Sequence, residues 1–295
     1  NIGDESILRT LVSSLREHIP DCSLTVLSHN PASTREKYGV EAVDRMSPMA
    51  ILRAVKKCDM LISGGGSLLQ DVTSSKSLHY YLSIIRCAEF FRKKVFIYSQ
   101  GIGPIDRPGN RRAAAAALKK ADGIVVRDER SAVLLEEIGI ARDKVVITAD
   151  PVIRMKKPDG DVGAEILRKA GVSLGGRLTV GWAIRERDTD SRFVKELLRS
   201  IQMMKDKYNA QSVLIPFHYE EDGEVCRHIA AQLPDDTAVC LNEKYLSEDM
   251  LSIIGNMDLL VGVRLHSLIY AAIMGVPLIG ISYDPKCTAF LNSVG

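Results

Sequence analysis

The sequence predicts an α/β protein of two domains, each built on a doubly wound parallel sheet. Short apolar runs alternate with amphipathic stretches along nearly the whole chain, the strand, turn, helix rhythm of such a sheet. That rhythm breaks once, between Lys156 and Gly176, in a charged stretch holding Pro158, Gly160, Gly175 and Gly176, and then restarts. At 295 residues the chain also exceeds one typical domain of roughly 100–200 residues. The division expected is 1–155 and 156–295.

In the first half, Ile7, Leu8, Leu11, Val12, Leu15 and Ile19 mark one face of a helix over Ser6–Ile19, with Asp4 placed to cap its first turn. Strand Leu24–Ser28, helix Pro48–Lys57 and buried strand Met60–Ser63 follow, and Gly64-Gly-Gly66 comes directly after the last. An amphipathic segment runs from Leu68 to Phe91, then strand Val95–Ser99 and the turn Gly101–Pro104. Helix Arg111–Lys120, strand Gly123–Val126, helix Ser131–Glu137 and strand Val145–Thr148 complete this half at Asp150-Pro151.

The second half reads strand Leu178–Ala183, helix Arg192–Tyr208, strand Ser212–Pro216, helix Glu221–Leu233 and strand Thr237–Cys240. Helix Glu248–Asn256, strand Asp258–Val263, helix Leu268–Met274 and strand Pro277–Ser282 follow. Two Rossmann-like domains facing each other across a cleft fit this pattern. The chain opens at Asn1 without an initial strand and stops at Gly295, so a first strand and a last helix are expected to lie outside it.

With 46% hydrophobic and 26% charged residues, the composition is that of an ordinary globular chain with a real core. A net charge of +2 gives no global electrostatic case for nucleic acid. The 6 cysteines are scattered, without CxxC or Cys/His spacing, which fits a reducing cytoplasm and argues against zinc. No run approaches the roughly 20 apolar residues that span a bilayer, and no signal peptide is visible.

The most informative stretch is Asp258-Leu-Leu-Val-Gly-Val-Arg-Leu-His-Ser267. Its apolar run suits a strand buried on both faces. It ends at Arg264, with His266 and Ser267 ahead of an apolar helix. A cation and an imidazole therefore stand at a carboxyl edge of the sheet, where open α/β folds bind ligands. The plain alternative is an arginine solvating a loop and a histidine capping a helix.

Other strand ends repeat the pattern. Arg127 follows one strand, Arg185 and Arg187 another, His218 a third, and Lys286 follows Ile281-Ser-Tyr283. A cleft lined by such cations would suit a small polyanion, since guanidinium grips phosphate or carboxylate with two prongs. Carboxylates (Asp128, Glu186, Asp284) occur there too, as they do in ordinary surface loops. Gly64-Gly-Gly66 is not the GxGxxG fingerprint, although Gly65 and Gly66 would let backbone N–H groups approach an anion near a helix start. Gln70 and Asp71 would lie in the first turns of that helix, within reach of a polar substrate or of solvent. Asp4 and His266, assigned to different domains, would make an acid/base pair if brought together. No GxSxG elbow, HExxH helix or Walker A lysine is present.

Six ordered motifs together resemble the polysaccharide pyruvyl transferase family over nearly the whole chain. They are Asn1-Ile-Gly-Asp-Glu5, Ile62-Ser-Gly-Gly-Gly-Ser67, Gln100-Gly-Ile-Gly-Pro104, Val126-Arg-Asp-Glu-Arg-Ser131, Arg264-Leu-His-Ser267 and Ser282-Tyr-Asp-Pro-Lys286. The likeness is to the CsaB type, which modifies secondary cell wall polymers of S-layer-bearing bacteria. The family's glycine-rich strand ahead of the first motif is absent from this sequence.

The resemblance implies a GT-B-like fold with the acceptor on the N-terminal side and the donor, phosphoenolpyruvate, on the C-terminal side. The implied acceptor is N-acetylmannosamine in a lipid-diphosphate-linked disaccharide, and the implied product its 4,6-linked pyruvate ketal. No metal or organic cofactor, no nucleic acid and at most peripheral membrane contact are expected, the last at the inner face through residues such as Arg92, Lys93 and Lys94.

The implied roles are catalysis by His266 (proton donor) and Asp4 (base). Arg127, Arg264, Leu265, Lys286, Gly65 and Gly66 are the expected substrate contacts: Arg264 and Arg127 clamp the donor's anionic groups, with Arg130 the rival to Arg127, and Lys286 holds the phosphate. A nucleotide-sugar glycosyltransferase of the same architecture is the alternative enzyme, and a non-catalytic sugar- or anion-binding module the alternative outside enzymes.

Overall fold

The computed structural model of the chain describes residues 1–72, 74–186, 189, 191–282 and 284–294. It divides into two compact units, Ile7–Pro151 and Asn1–Ser6 with Val152–Gly295. The division in the chain falls after Pro151. The first six residues, however, pack with the C-terminal half, so Asp4 and His266 share one unit instead of lying in two.

The N-terminal unit takes most of α1 (Ile2–His18), then β1 (Thr25–Ser28), α2 (Pro31–Tyr38), β2 (Glu41–Asp44) and α3 (Pro48–Lys57). It continues through β3 (Met60–Gly64), α4 (Ser75–Phe90), β4 (Lys94–Gln100), α5 (Pro108–Leu118), β5 (Gly123–Val126), α6 (Glu129–Glu137) and β6 (Val145–Ile147). β1 and β2 pair in parallel by themselves, while β3, β4, β5 and β6 form a parallel sheet in that order. Val95 and Ile97 of β4 bury against Leu78, Leu82 and Ile85 of α4 and the small side chains Ala114 and Ala117 of α5. Each fully buried leucine or isoleucine contributes about 1.5–3 kcal/mol.

The C-terminal unit holds α7 (Val162–Lys169), β7 (Thr179–Ala183), α8 (Arg192–Tyr208), β8 (Gln211–Leu214), α9 (Tyr219–Gln232) and β9 (Ala238–Cys240). It ends with α10 (Ser247–Gly255), β10 (Leu259–Gly262), α11 (Leu265–Met274), β11 (Leu278–Gly280) and α12 (Pro285–Val294). Its parallel sheet runs β11-β10-β7-β8-β9. Strand order therefore reverses between β7 and β10, and the carboxyl ends of those two strands frame the crevice where such sheets bind ligands. β7 is buried at every residue, as a central strand covered on both faces must be. Its Trp182 satisfies the indole N–H by donating to Ser212 Oγ at 2.9 Å.

The segment 31–44 forms α2 and β2, and Pro285 opens α12, where the sequence pattern assigned no element. Two expectations are corrected. α4 begins at Ser75 and not at Leu68, so Gly64–Gly66 does not stand at a helix start. α1 begins at Ile2, which places Asp4 inside the helix; Asn1 caps it, its side chain accepting from Gly3 N–H at 3.0 Å.

Candidate active site

The turn from β10 into α11 is built for closeness. A Cβ at Gly262 would lie 2.6 Å from Ser267 Oγ, so only glycine lets the helix fold back this tightly. Ser267 is fully buried and donates to Arg264 O at 2.6 Å, closing the turn. Arg264 is thereby fixed at the N-cap of α11 and His266 in its first turn, with Leu265 buried between them.

Arg264 does not extend loosely into solvent. Its guanidinium donates from Nε at 3.2 Å and also from Nη2 to the carboxylate of Asp222, which is 1% exposed. The same carboxylate accepts from the backbone N–H of His218 at 2.8 Å. Glu221 Oε2 lies 3.6 Å from Nη2. The side-on pairing occupies one edge of the guanidinium and leaves its Nη1 hydrogens outside that pair.

Asp222 had no sequence signal. It reads as one of three acids, with Glu220 and Glu221, in the first turn of α9, where acids ordinarily answer the helix dipole. His218 turns out to be the N-cap of α9, its Nδ1 accepting from Glu221 N–H at 3.3 Å.

The amino terminus of the chain is fastened at the same place. Ile2 N–H donates to Phe217 O at 3.2 Å, and Ser6 Oγ hydrogen-bonds the hydroxyl of buried Tyr270. Gly3 presses on the His266 ring: a Cβ there would stand 2.1 Å from Nδ1. Asp4, the next residue, is exposed.

Lys286 is brought to the same sheet edge. Cys287 Sγ contacts Val263 O at 3.7 Å, tying the first turn of α12 to the residue before Arg264. Lys286 Nζ pairs with Asp284 at 3.2 Å, and Asp284 also accepts from Lys286 N–H at 3.0 Å. The carboxylates noted at strand ends are thus partners and caps. Asp128, for instance, caps α6 by accepting from Ser131 N–H at 2.8 Å. Arg185, after β7, is exposed; Arg187 and Tyr283 lie outside the described residues.

A cavity of about 250 Å³ in this unit is lined by Glu186, Thr189, Glu220, Glu221, Glu224 and Val225. Four carboxylates make it a poor seat for an anion, so the cations beside it are the better candidates. Among the described residues no cluster of His, Cys, Asp and Glu could hold a metal ion.

In the N-terminal unit, Arg127 braces three strand ends. It donates to Ser67 Oγ at 2.9 Å and to Asp150 at 3.0 Å, lies 3.5 Å from Asp128, and is only 6% exposed. A Cβ at Gly101 would meet its Nη2 at 2.5 Å. Arg130 is exposed on α6.

Gly65 and Gly66 adopt φ of 63° and 65°, and a Cβ at Gly65 would sit 2.0 Å from Ile7 Cγ2. Backbone bonding takes up part of their loop: Gly65 N–H donates to Tyr98 O, and Gly101 N–H to Gly66 O, each at 2.8 Å. Asp71, expected within reach of either substrate or solvent, is buried and accepts from Asp106 N–H, Arg107 N–H and Asn110 Nδ2 at 3.0, 3.1 and 2.8 Å. Burial pushes its carboxyl up, but those donors outweigh it and hold the group below its ordinary range.

A family model described as polysaccharide pyruvyl transferase matches residues 1–285. The amylovoran biosynthesis protein AmsJ of Erwinia amylovora is 21% identical, over all of this chain and 83% of its own length. Among solved structures, the UDP-GlcNAc 2-epimerase of Methanocaldococcus jannaschii has a TM-score of 0.69 at 13% identity, covering 96% of this chain and 83% of its own. The UDP-GlcNAc 2-epimerase of Neisseria meningitidis, bound to UDP-GlcNAc, has a TM-score of 0.61 at 14% identity, covering 98% and 83%. Anabaena HepE, solved with UDP-glucose, has 0.61 at 11% identity, covering 93% and 76%. These likenesses establish a GT-B-like fold class and nothing of the ligand.

Proposed function

Because the chain belongs to the polysaccharide pyruvyl transferase family, we propose that it moves the enolpyruvyl group of phosphoenolpyruvate onto two hydroxyls of a sugar. The product is a pyruvate ketal, and phosphate leaves. The acceptor in this reading is N-acetylmannosamine of a lipid-linked cell wall polymer precursor, ketalated at O4 and O6 as in the CsaB type.

The observation that carries the reading is one guanidinium, one ammonium and one imidazole on neighbouring segments at a single sheet edge. Arg264 and Lys286 supply positive charge for the donor's carboxylate and phosphate. His266 suits the proton transfer to the donor methylene, since an ordinary imidazole gives and takes protons near pH 6.5. Protonation leaves an electron-poor carbon that the first sugar oxygen attacks; the second attack accompanies breakage of the C–O bond to phosphate. Of the two hydroxyl protons, one balances the new methyl group and one leaves with phosphate. Asp4, beside the Gly3 contact, serves as the base for an acceptor hydroxyl. Leu265 fixes the spacing of Arg264 and His266, while Arg127, Gly65 and Gly66 form the acceptor-side framework.

A substrate screen tests this. Phosphate released from phosphoenolpyruvate only in the presence of a sugar acceptor supports it; release of UDP or GDP from a nucleotide sugar, with phosphoenolpyruvate untouched, rejects it. Binding of sugar without turnover of either donor points to a non-catalytic module.

A further inference from the structure

Phe90, the last residue of α4, is 80% exposed, and among the described residues no large apolar side chain is more so. Its neighbour Phe91 turns towards the core, with the two ring centroids 5.1 Å apart. The chain is held there: Arg92, at φ 56°, donates its N–H to Glu89 O and Lys93 its N–H to Ala88 O, each at 2.9 Å. The exposed ring therefore stands on an anchored turn.

Cations end the neighbouring segments. Lys56 and Lys57 end α3, Arg92 and Lys93 follow α4, and Lys119 and Lys120 follow α5. All six lie at the amino edge of the sheet, where β3, β4 and β5 begin. Direct contacts join these segments: Lys56 Nζ is 5.0 Å from the Phe91 ring centroid, and Lys94 N–H donates to Asp59 O at 3.2 Å. Lys94 is paired with Asp122 at 2.8 Å, and the other carboxylates at this edge are Asp59 and the half-buried Glu89, which faces Lys120, so cations outnumber acids there. Met60, opposite Lys94 in the β3–β4 register, adds a second exposed apolar side chain.

One exposed phenylalanine is ordinary by itself. An exposed phenyl ring on a sheet edge where six lysine and arginine residues end the neighbouring helices, in a chain of net charge only +2, is the pattern of an interfacial anchor. We infer that the amino edge of the N-terminal sheet docks on an anionic lipid bilayer, with Phe90 entering the headgroup region and these cations meeting lipid phosphates. The ring decides between a bilayer and a soluble polyanion, since nucleic acid would gain only from the charges. Docking at the amino edge leaves the carboxyl edge of the same sheet, with Ser67 and Arg127, uncovered.

The test needs no substrate and so stands apart from the proposed reaction. Co-sedimentation is measured with phosphatidylcholine vesicles, with and without phosphatidylglycerol, for the unmodified protein, Phe90→Ser and the double variant K57E/K93E. Binding should be roughly tenfold tighter to the anionic vesicles, fall several-fold in Phe90→Ser and be lost in K57E/K93E, all with unchanged melting temperature. No binding to anionic vesicles at low salt overturns the inference. So does Phe90→Ser binding as well as the unmodified protein, and in that case equal affinity for heparin would identify a soluble polyanion as the ligand.

Discussion

Gly3 and His266 touch: a methyl group at position 3 would come within 2.1 Å of the imidazole Nδ1. The first turn of the first helix is therefore one wall of the histidine's seat. This gives the opening motif, Asn1-Ile-Gly-Asp-Glu5, a physical reason to contain glycine.

Gly3→Ala should displace the imidazole while leaving Arg264 and Lys286 in place. A shift of about 1 Å at a reacting group can cost on the order of a hundredfold in rate. Turnover should fall by about that much, with donor affinity measured by calorimetry within roughly twofold. Unchanged kcat would show that the ring's position is irrelevant to the reaction.

Asp222→Asn removes the charge that orients Arg264 and leaves the guanidinium without its buried anionic partner. Breaking a fully buried pair costs about 3–5 kcal/mol; with Arg264 15% exposed, about 1–3 kcal/mol is expected in urea unfolding. KM for phosphoenolpyruvate should rise more than kcat falls, and Asp222→Glu should recover part of the loss. Equal losses in both parameters, without recovery by Glu, would mark Asp222 as structural only.

Arg264→Ala and Lys286→Ala should each weaken donor binding more than they slow the bound complex. Titration calorimetry with phosphoenolpyruvate reads this directly, and isotherms matching the unmodified protein would remove both residues from the donor site.

Asp71 makes stability depend on pH. Its folded carboxyl titrates below its unfolded value, so its contribution is present above the ordinary range near pH 4 and is lost as pH falls through the folded value. Asp71→Asn should lower stability at pH 7 by about 1–3 kcal/mol, because Asp106 and Arg107 N–H would lose a charged acceptor, and the difference should shrink in acid. A pH-independent difference between the two proteins would contradict this.

What the sequence disclosed follows from what leaves a local mark. The long apolar periods gave both sheets, and Arg264 and His266 were legible because a buried run ended on them. α2 was missed because Pro-Ala-Ser-Thr-Arg-Glu-Lys-Tyr has no apolar face, and β2 because four residues, Glu-Ala-Val-Asp, barely alternate. Asp222 was invisible because burial of one acid among three in a helix turn is decided by a residue 42 positions away. The membership of Asn1–Ser6 in the C-terminal unit was equally hidden, since it depends on Phe217, His266 and Tyr270. That Gly65 packs against Ile7 of α1 was hidden as well, since the two are far apart in the chain and no local pattern joins them.

The most direct measurement runs the reaction in deuterated water with phosphoenolpyruvate and a synthetic N-acetylmannosamine-containing acceptor, followed by mass spectrometry and phosphate assay. The predicted result is an acceptor carrying one pyruvate ketal with a single deuterium in its methyl group, one phosphate per ketal, and no product from a folded His266→Ala protein that still binds the donor. Full turnover by His266→Ala, or a methyl group without solvent deuterium, would contradict the account.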